Sequence, residues 1–82
     1  RFACFRRCYE RGLWKNPGLT GRIAVSFVIE AATGAVLTAK DAGSDLPDRE
    51  VVACVVDEFA WVRFPAPERK NITVTYPIEF RP

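Results

Sequence analysis

Gly21-Arg22-Ile23-Ala24-Val25-Ser26-Phe27-Val28-Ile29-Glu30 is the stretch that most narrows what this chain can become. Successive side chains of an extended strand point to opposite faces, so Ile23, Val25, Phe27 and Ile29 share one side. Arg22, Ala24, Ser26 and Glu30 share the other, with Val28 the one apolar exception. Alternation this strict, in β-branched and aromatic residues, predicts a strand with one buried face. The rest of the chain then has to supply the cover for that face.

On the amino-terminal side, Phe2, Phe5, Tyr9 and Leu13 recur at the three- and four-residue steps of one helix face, with Arg6, Arg7, Glu10 and Arg11 opposite. That pattern predicts a first helix over about residues 2–14, ended by the breaker Asn16-Pro17-Gly18. Past the strand, Ala32-Thr33-Gly34 turns the chain, with Gly34 expected at positive φ in a short hairpin loop. Ala35-Val36-Leu37-Thr38-Ala39-Lys40 returns as a second strand, with a bulge or an early end expected near Ala42-Gly43. Ser44 to Pro47 prepares a second helix, in which Pro47 suits the first turn and Asp48 and Glu50 place carboxylates where the helix dipole favours them. Val51, Val52, Val55, Phe59 and Val62 form its apolar stripe, and their spacing outweighs their β-branched propensity. Trp61 to Pro67 ends that helix, Phe64-Pro65-Ala66-Pro67 runs extended as a rigid connector, and Glu68-Arg69-Lys70-Asn71 turns. Ile72, Val74, Tyr76, Ile78 and Phe80 then alternate with Thr73, Thr75, Pro77 and Glu79 in a third strand. Pro77 cannot donate to a ladder, which puts that strand at a sheet edge.

Eighty-two residues make one domain, residues 1–82, and the start at Arg1 reads as a piece of a longer protein. The order helix, strand, strand, helix, strand predicts a two-layer α+β domain. If the third strand pairs with the first, the sheet is antiparallel throughout in the order 2-1-3, with the most apolar strand at its centre. Both helices then cover the apolar face, and the Ser/Thr/charged face meets water.

Charge is distributed unevenly. Arg1, Arg6, Arg7, Arg11, Lys15 and Arg22 against Glu10 leave residues 1–22 at a net +5. Asp41, Asp45, Asp48, Glu50, Asp57 and Glu58 against Arg49 leave residues 41–58 at −5. The basic block has the composition of a phosphate or nucleic-acid patch, but a solvated helix face lying near the acidic block is the preferred reading.

Catalysis finds little to work with. The chain has no histidine, which removes the usual general base, the Cys–His nucleophile and the mixed zinc site. Cys4 and Cys8 are spaced C-x3-C, neither a redox pair nor a metal knuckle, and no glycine-rich loop opens a helix to cradle phosphate. No enzyme, metal or cofactor is expected. Three cysteines leave a thiol over if one bridge forms, and Cys54 falls among Glu50, Asp57 and Glu58 rather than in the apolar stripe. A cysteine placed there is easier to explain as a cross-link than as packing.

Cys8-Tyr9, Pro17, Gly21 with its strand, Gly34-Ala35-Val36, Cys54, Phe64-Pro65-Ala66-Pro67 and Tyr76-Pro77-Ile78-Glu79-Phe80 together resemble a TonB carboxy-terminal domain. More narrowly the chain resembles the AgmX/PglI carboxy-terminal family, TonB-like domains of myxobacterial gliding and envelope proteins, over nearly its whole length. Cys4 is not part of that pattern, and Asp41-Ala42-Gly43-Ser44 stands where a Ser-Ser-Gly ending is usual. The resemblance implies a periplasmic module of an inner-membrane-anchored protein. Motors driven by the proton gradient pull on such domains through the upstream part, and an edge strand grips a short peptide of an outer-membrane or periplasmic partner. A passive, disulfide-stapled module of a cell-surface assembly is the alternative. A nucleic-acid binder using the basic helix comes third, and no small-molecule substrate is expected.

Two expectations about residues follow. A Cys8–Cys54 disulfide joins the two helices and leaves Cys4 free, Cys4 being the alternative partner for Cys54. The third strand, if it is an edge, exposes unpaired backbone groups that a peptide uses by strand addition, with Ile72, Thr73, Val74, Thr75, Tyr76 and Glu79 as the partner-binding residues. Specificity then rests on Thr73, Thr75 and Glu79 on the open face and on whatever pocket flanks Tyr76.

Overall fold

The computed structural model describes residues 2–82, with side chains from Cys4 onward. Arg1 of the basic block and the Phe2 side chain of the first apolar stripe lie outside the described residues. The elements run α1 (Phe2–Lys15), β1 (Gly21–Ile29), β2 (Val36–Asp41), α2 (Arg49–Phe59) and β3 (Ile72–Phe80). The sheet order is β2-β1-β3, and both pairings are antiparallel.

Burial follows the alternation of β1. Ile23, Val25, Phe27 and Ile29 are buried, and Phe5, Cys8 and Tyr9 of α1 with Val51, Val52, Val55 and Phe59 of α2 join them in one core. The Tyr9 hydroxyl donates to the Leu19 carbonyl, so the only polar atom of a buried ring is satisfied where the chain passes from α1 to β1. Gly12 leaves room for α2 and the α1–β1 loop to pack on α1: a Cβ there would stand 2.5 Å from Leu19 Cδ2 and 2.6 Å from Val51 Cγ2.

The hairpin turns at Gly34, whose φ of +75° is open to glycine at no steric cost. Of the bulge or early end expected near Ala42-Gly43, the early end is found, since β2 stops at Asp41, while the bulge lies at the opposite end of the strand. Val28 pairs with Thr38 and Ile29 with Val36, so Leu37 is the extra residue. The cause is the α2–β3 connector, which occupies the hairpin: Phe64 N–H donates to the Gly34 carbonyl, and Ala35 forms a bridge with Arg63. At the far end the ladder continues regularly, with Ala42 N–H donating to the Ala24 carbonyl beyond the end of β2 at Asp41.

Helix α2 starts at Arg49, two residues later than a first-turn Pro47 implies. Asp48 is the N-cap, in extended conformation, and its carboxylate accepts from the N–H groups of Glu50 and Val51. Pro47 therefore precedes the cap instead of sitting in the first turn. Val62, expected in the apolar stripe, lies past the helix end. Ala60, Trp61 and Val62 each donate to the carbonyl three residues back, a tightening that unwinds the last turn after Phe59. The two helices are joined by the Cys8–Cys54 disulfide, with Cα atoms 5.7 Å apart and 46 residues of separation, while Cys4 is a half-buried free thiol.

Candidate interaction edge

The direction of each backbone group on β3 follows from the hydrogen bonds of β1. Ala24 N–H donates to Ser44 Oγ and its carbonyl accepts from Ala42, while Arg22 N–H donates to Asp45 and its carbonyl accepts from Asp45 and Leu46 N–H. Both groups of a strand residue point to the same side, and that side alternates along the strand. Arg22, Ala24, Ser26 and Val28 therefore face β2, and Gly21, Ile23, Val25, Phe27 and Ile29 face β3 across the unbroken register Gly21↔Phe80 to Ile29↔Ile72. On β3, the backbone groups of Ile72, Val74, Tyr76, Ile78 and Phe80 are consumed in the ladder. Those of Thr73, Thr75, Pro77 and Glu79 point outward along an edge that no strand covers among the described residues.

The expectation that all of residues 72–80 offers free backbone thus narrows to alternate residues. Thr73, Thr75 and Glu79 present an outward N–H and carbonyl, and Pro77 presents a carbonyl alone. Because Pro77 pairs with Ala24, whose own groups face the other way, its missing N–H costs the ladder nothing. Side chains alternate with the same period. Thr73, Thr75 and Glu79 lie on the open face, where Glu79 is held by Arg81 at 3.0 Å. Ile72, Val74 and Tyr76 lie on the helix-covered face, yet the helix layer stops short of the edge, leaving Tyr76 45% and Ile72 42% exposed.

Beside Tyr76 the structure opens a groove of about 270 Å³ lined by Phe5, Phe27, Phe59, Val62, Arg63, Phe64 and Tyr76. Its aromatic wall is continuous. Phe5 stacks on Phe59 at 4.8 Å, Phe27 lies 5.0 Å from Phe59 and stacks on Phe64 at 5.2 Å, and Tyr76 closes the set 6.3 Å from Phe59. Arg63, exposed at the rim, pairs with no carboxylate among the described residues. The rings come from α1, β1, α2, the connector and β3, so no local sequence pattern marks the groove. The one available signal was that Tyr76 needs a flanking pocket.

The basic face of α1 is partly neutralised. Lys15 Nζ reaches Asp48 at 3.2 Å and Glu50 at 3.6 Å, so the first helix does lie against the acidic block, while Arg6, Arg7 and Arg11 are exposed. The hydrogen bond to Asp48 raises the Lys15 ammonium above its ordinary value. For Asp48, burial works upward, but the Val51 N–H and Lys15 outweigh it and hold the carboxyl below the ordinary range. Among the described residues no cluster of three carboxylates or thiols could hold a metal ion, and no helix is long and apolar enough to cross a membrane.

No protein-family model matches the chain, and no curated protein is similar to it. Among solved structures, the carboxy-terminal domain of TonB from Helicobacter pylori (residues 179–285, in solution) superposes with a TM-score of 0.61 at 20% identity, over 98% of this chain and 78% of that one. At that identity the likeness is one of architecture: the chain has a TonB carboxy-terminal-domain-like fold.

Proposed function

We propose that this domain is a periplasmic protein-interaction module of a TonB-like envelope machine, and that it grips a partner by adding a peptide strand to the outer edge of β3. The observation that carries this reading is the row of outward N–H and carbonyl groups at Thr73, Thr75 and Glu79, beside exposed Tyr76. Main-chain pairing supplies affinity in such a mode, and the side chains flanking it supply selection. The resemblance to TonB-like domains, and within them to the AgmX/PglI domains, supports the rest. An inner-membrane anchor upstream links the module to motor proteins powered by the proton gradient, and the edge passes force to an outer-membrane or periplasmic protein in motility or transport. The disulfide fits this location, because an oxidising compartment preserves it.

The test is backbone amide shifts and hydrogen-exchange protection, recorded with and without peptides from candidate envelope partners. New protection at Thr73 and Thr75, with shifts between Ile72 and Tyr76, is the expected result. Changes confined to Arg6, Arg7, Arg11 and Lys15 would transfer the site to α1, and no change with any envelope peptide would leave a passive, stapled structural module.

A further inference from the structure

The edge and the aromatic groove are neighbours, and their geometry specifies what the incoming strand must carry. This inference rests on the strand-addition reading. A peptide paired with the outward groups of Thr75 places its adjacent residue beside Tyr76, with that side chain on the same face as Tyr76. That is the face on which the groove opens, with Tyr76 as its outer lip and Phe59 and Phe64 behind. The wall is apolar and its rings are already stacked on one another, so an entering apolar group meets a preformed surface at little ordering cost. The rim carries the Arg63 guanidinium, unpaired by any carboxylate among the described residues.

We propose that the groove is the anchor pocket of the partner peptide. It takes one large apolar side chain, aromatic or Leu-like, from the position beside Tyr76, with an acidic residue of the same peptide turned toward Arg63. Partner selection then lies on the helix-covered face, whereas Thr73 and Thr75 on the open face contribute mainly their backbone.

Four seven-residue peptides test this on the disulfide-bonded domain: Thr-Val-Thr-Phe-Thr-Glu-Thr, the same with Ala for Phe, the same with Gln for Glu, and the Phe peptide with N-methyl groups at alternate amides. Affinity is read from fluorescence anisotropy, and the site from amide shifts. The Phe peptide should bind about 10-fold more tightly than the Ala peptide, the size expected for burying part of an aromatic ring. That ratio should fall towards one in Tyr76→Ala, whose exposed ring makes the change tolerable to the fold. Arg63→Glu should weaken the Phe peptide alone against its Gln-for-Glu counterpart. Equal binding of the Phe and Ala peptides, with shifts at Thr73 and Thr75, overturns the anchor pocket while leaving strand addition intact. Undiminished binding of the N-methylated peptide overturns strand addition, and with it the placement of the anchor. Groove shifts that follow protein concentration without peptide would assign the groove to a second copy of the chain and overturn the peptide anchor.

Discussion

At the scale of single residues, Asp48 performs two tasks that different substitutions separate. Its carboxylate caps α2 through the Glu50 and Val51 N–H groups and also receives Lys15 from α1. Its folded-state carboxyl lies below the ordinary value of 3.8, as does that of Asp41, which the Ser44 hydroxyl chiefly holds down. A depressed carboxylate contributes stability that is present above its unfolded value and lost as pH falls through the folded one. Lys15 is raised above 10.5, so its contribution is full below that value and is lost as pH rises through its folded one. The urea midpoint should therefore be level across neutral pH, falling below about pH 4 and again above about pH 10.5. Asp48→Asn keeps a good capping oxygen and removes the charge, so both limbs should become shallower because the neutral-pH midpoint falls by the contribution of the charge, with the cap retained. Asp48→Ala loses the cap as well and should cost about 1 kcal/mol at pH 7. The sequence marked Asp48 only as a first-turn acid. Pro47 beside it is equally at home just inside a helix, and nothing local decides which of two adjacent residues turns its backbone out.

At the scale of elements, β1 and β3 were legible because period-two alternation needs no partner to be seen; burial follows it in β1, whereas in β3 Ile72 and Tyr76 stay exposed because the helix layer stops short of the edge. The bulge in β2 and the early end of α2 were not, because both depend on where the connector docks. Arg63 and Phe64 attach to Ala35 and Gly34, contacts between segments nearly thirty residues apart, written in no periodicity. The groove was illegible for the same reason, whereas the edge position of β3 was readable from Pro77 alone. Structure adds the direction in which Pro77 faces. Its nitrogen points outward, between the outward amides of Thr75 and Glu79, and interrupts the row a neighbouring strand would use. Pro77→Val restores that N–H and leaves the β1–β3 ladder unchanged. The variant should fold and then self-associate through β3, seen as a molar mass that rises with concentration in light scattering. A Val variant that stays monomeric at millimolar concentration would mean that the edge is protected by something other than proline.

At the scale of the whole molecule, the disulfide divides the chain unequally. The loop closed by Cys8 and Cys54 contains the end of α1, both strands of the hairpin and the first half of α2, and leaves β3 outside. The strand proposed to carry the partner is thus held to the rest by its ladder with β1 and by side-chain packing, while the body beneath it is covalently closed. A chain of 82 residues buries only about 60% of its unfolded surface, so its margin is small. Closing 46 residues is worth about 4 kcal/mol in the chain-entropy model, against a typical domain stability of about 5–15 kcal/mol. Reduction should therefore lower the unfolding free energy from urea titration by about 4 kcal/mol and leave a domain at the margin of folding. Cys4→Ser, at the thiol outside the bridge, should change it by less than about 0.5 kcal/mol. Hydrogen exchange locates the effect. In the oxidised protein the β3 amides should exchange through partial openings that spare the closed body, and after reduction β1, α2 and β3 should exchange together at one global free energy. Equal exchange of β3 and β1 while the bridge is intact would show that the ladder and the stapled body unfold as one unit, and that a pulled β3 cannot yield first.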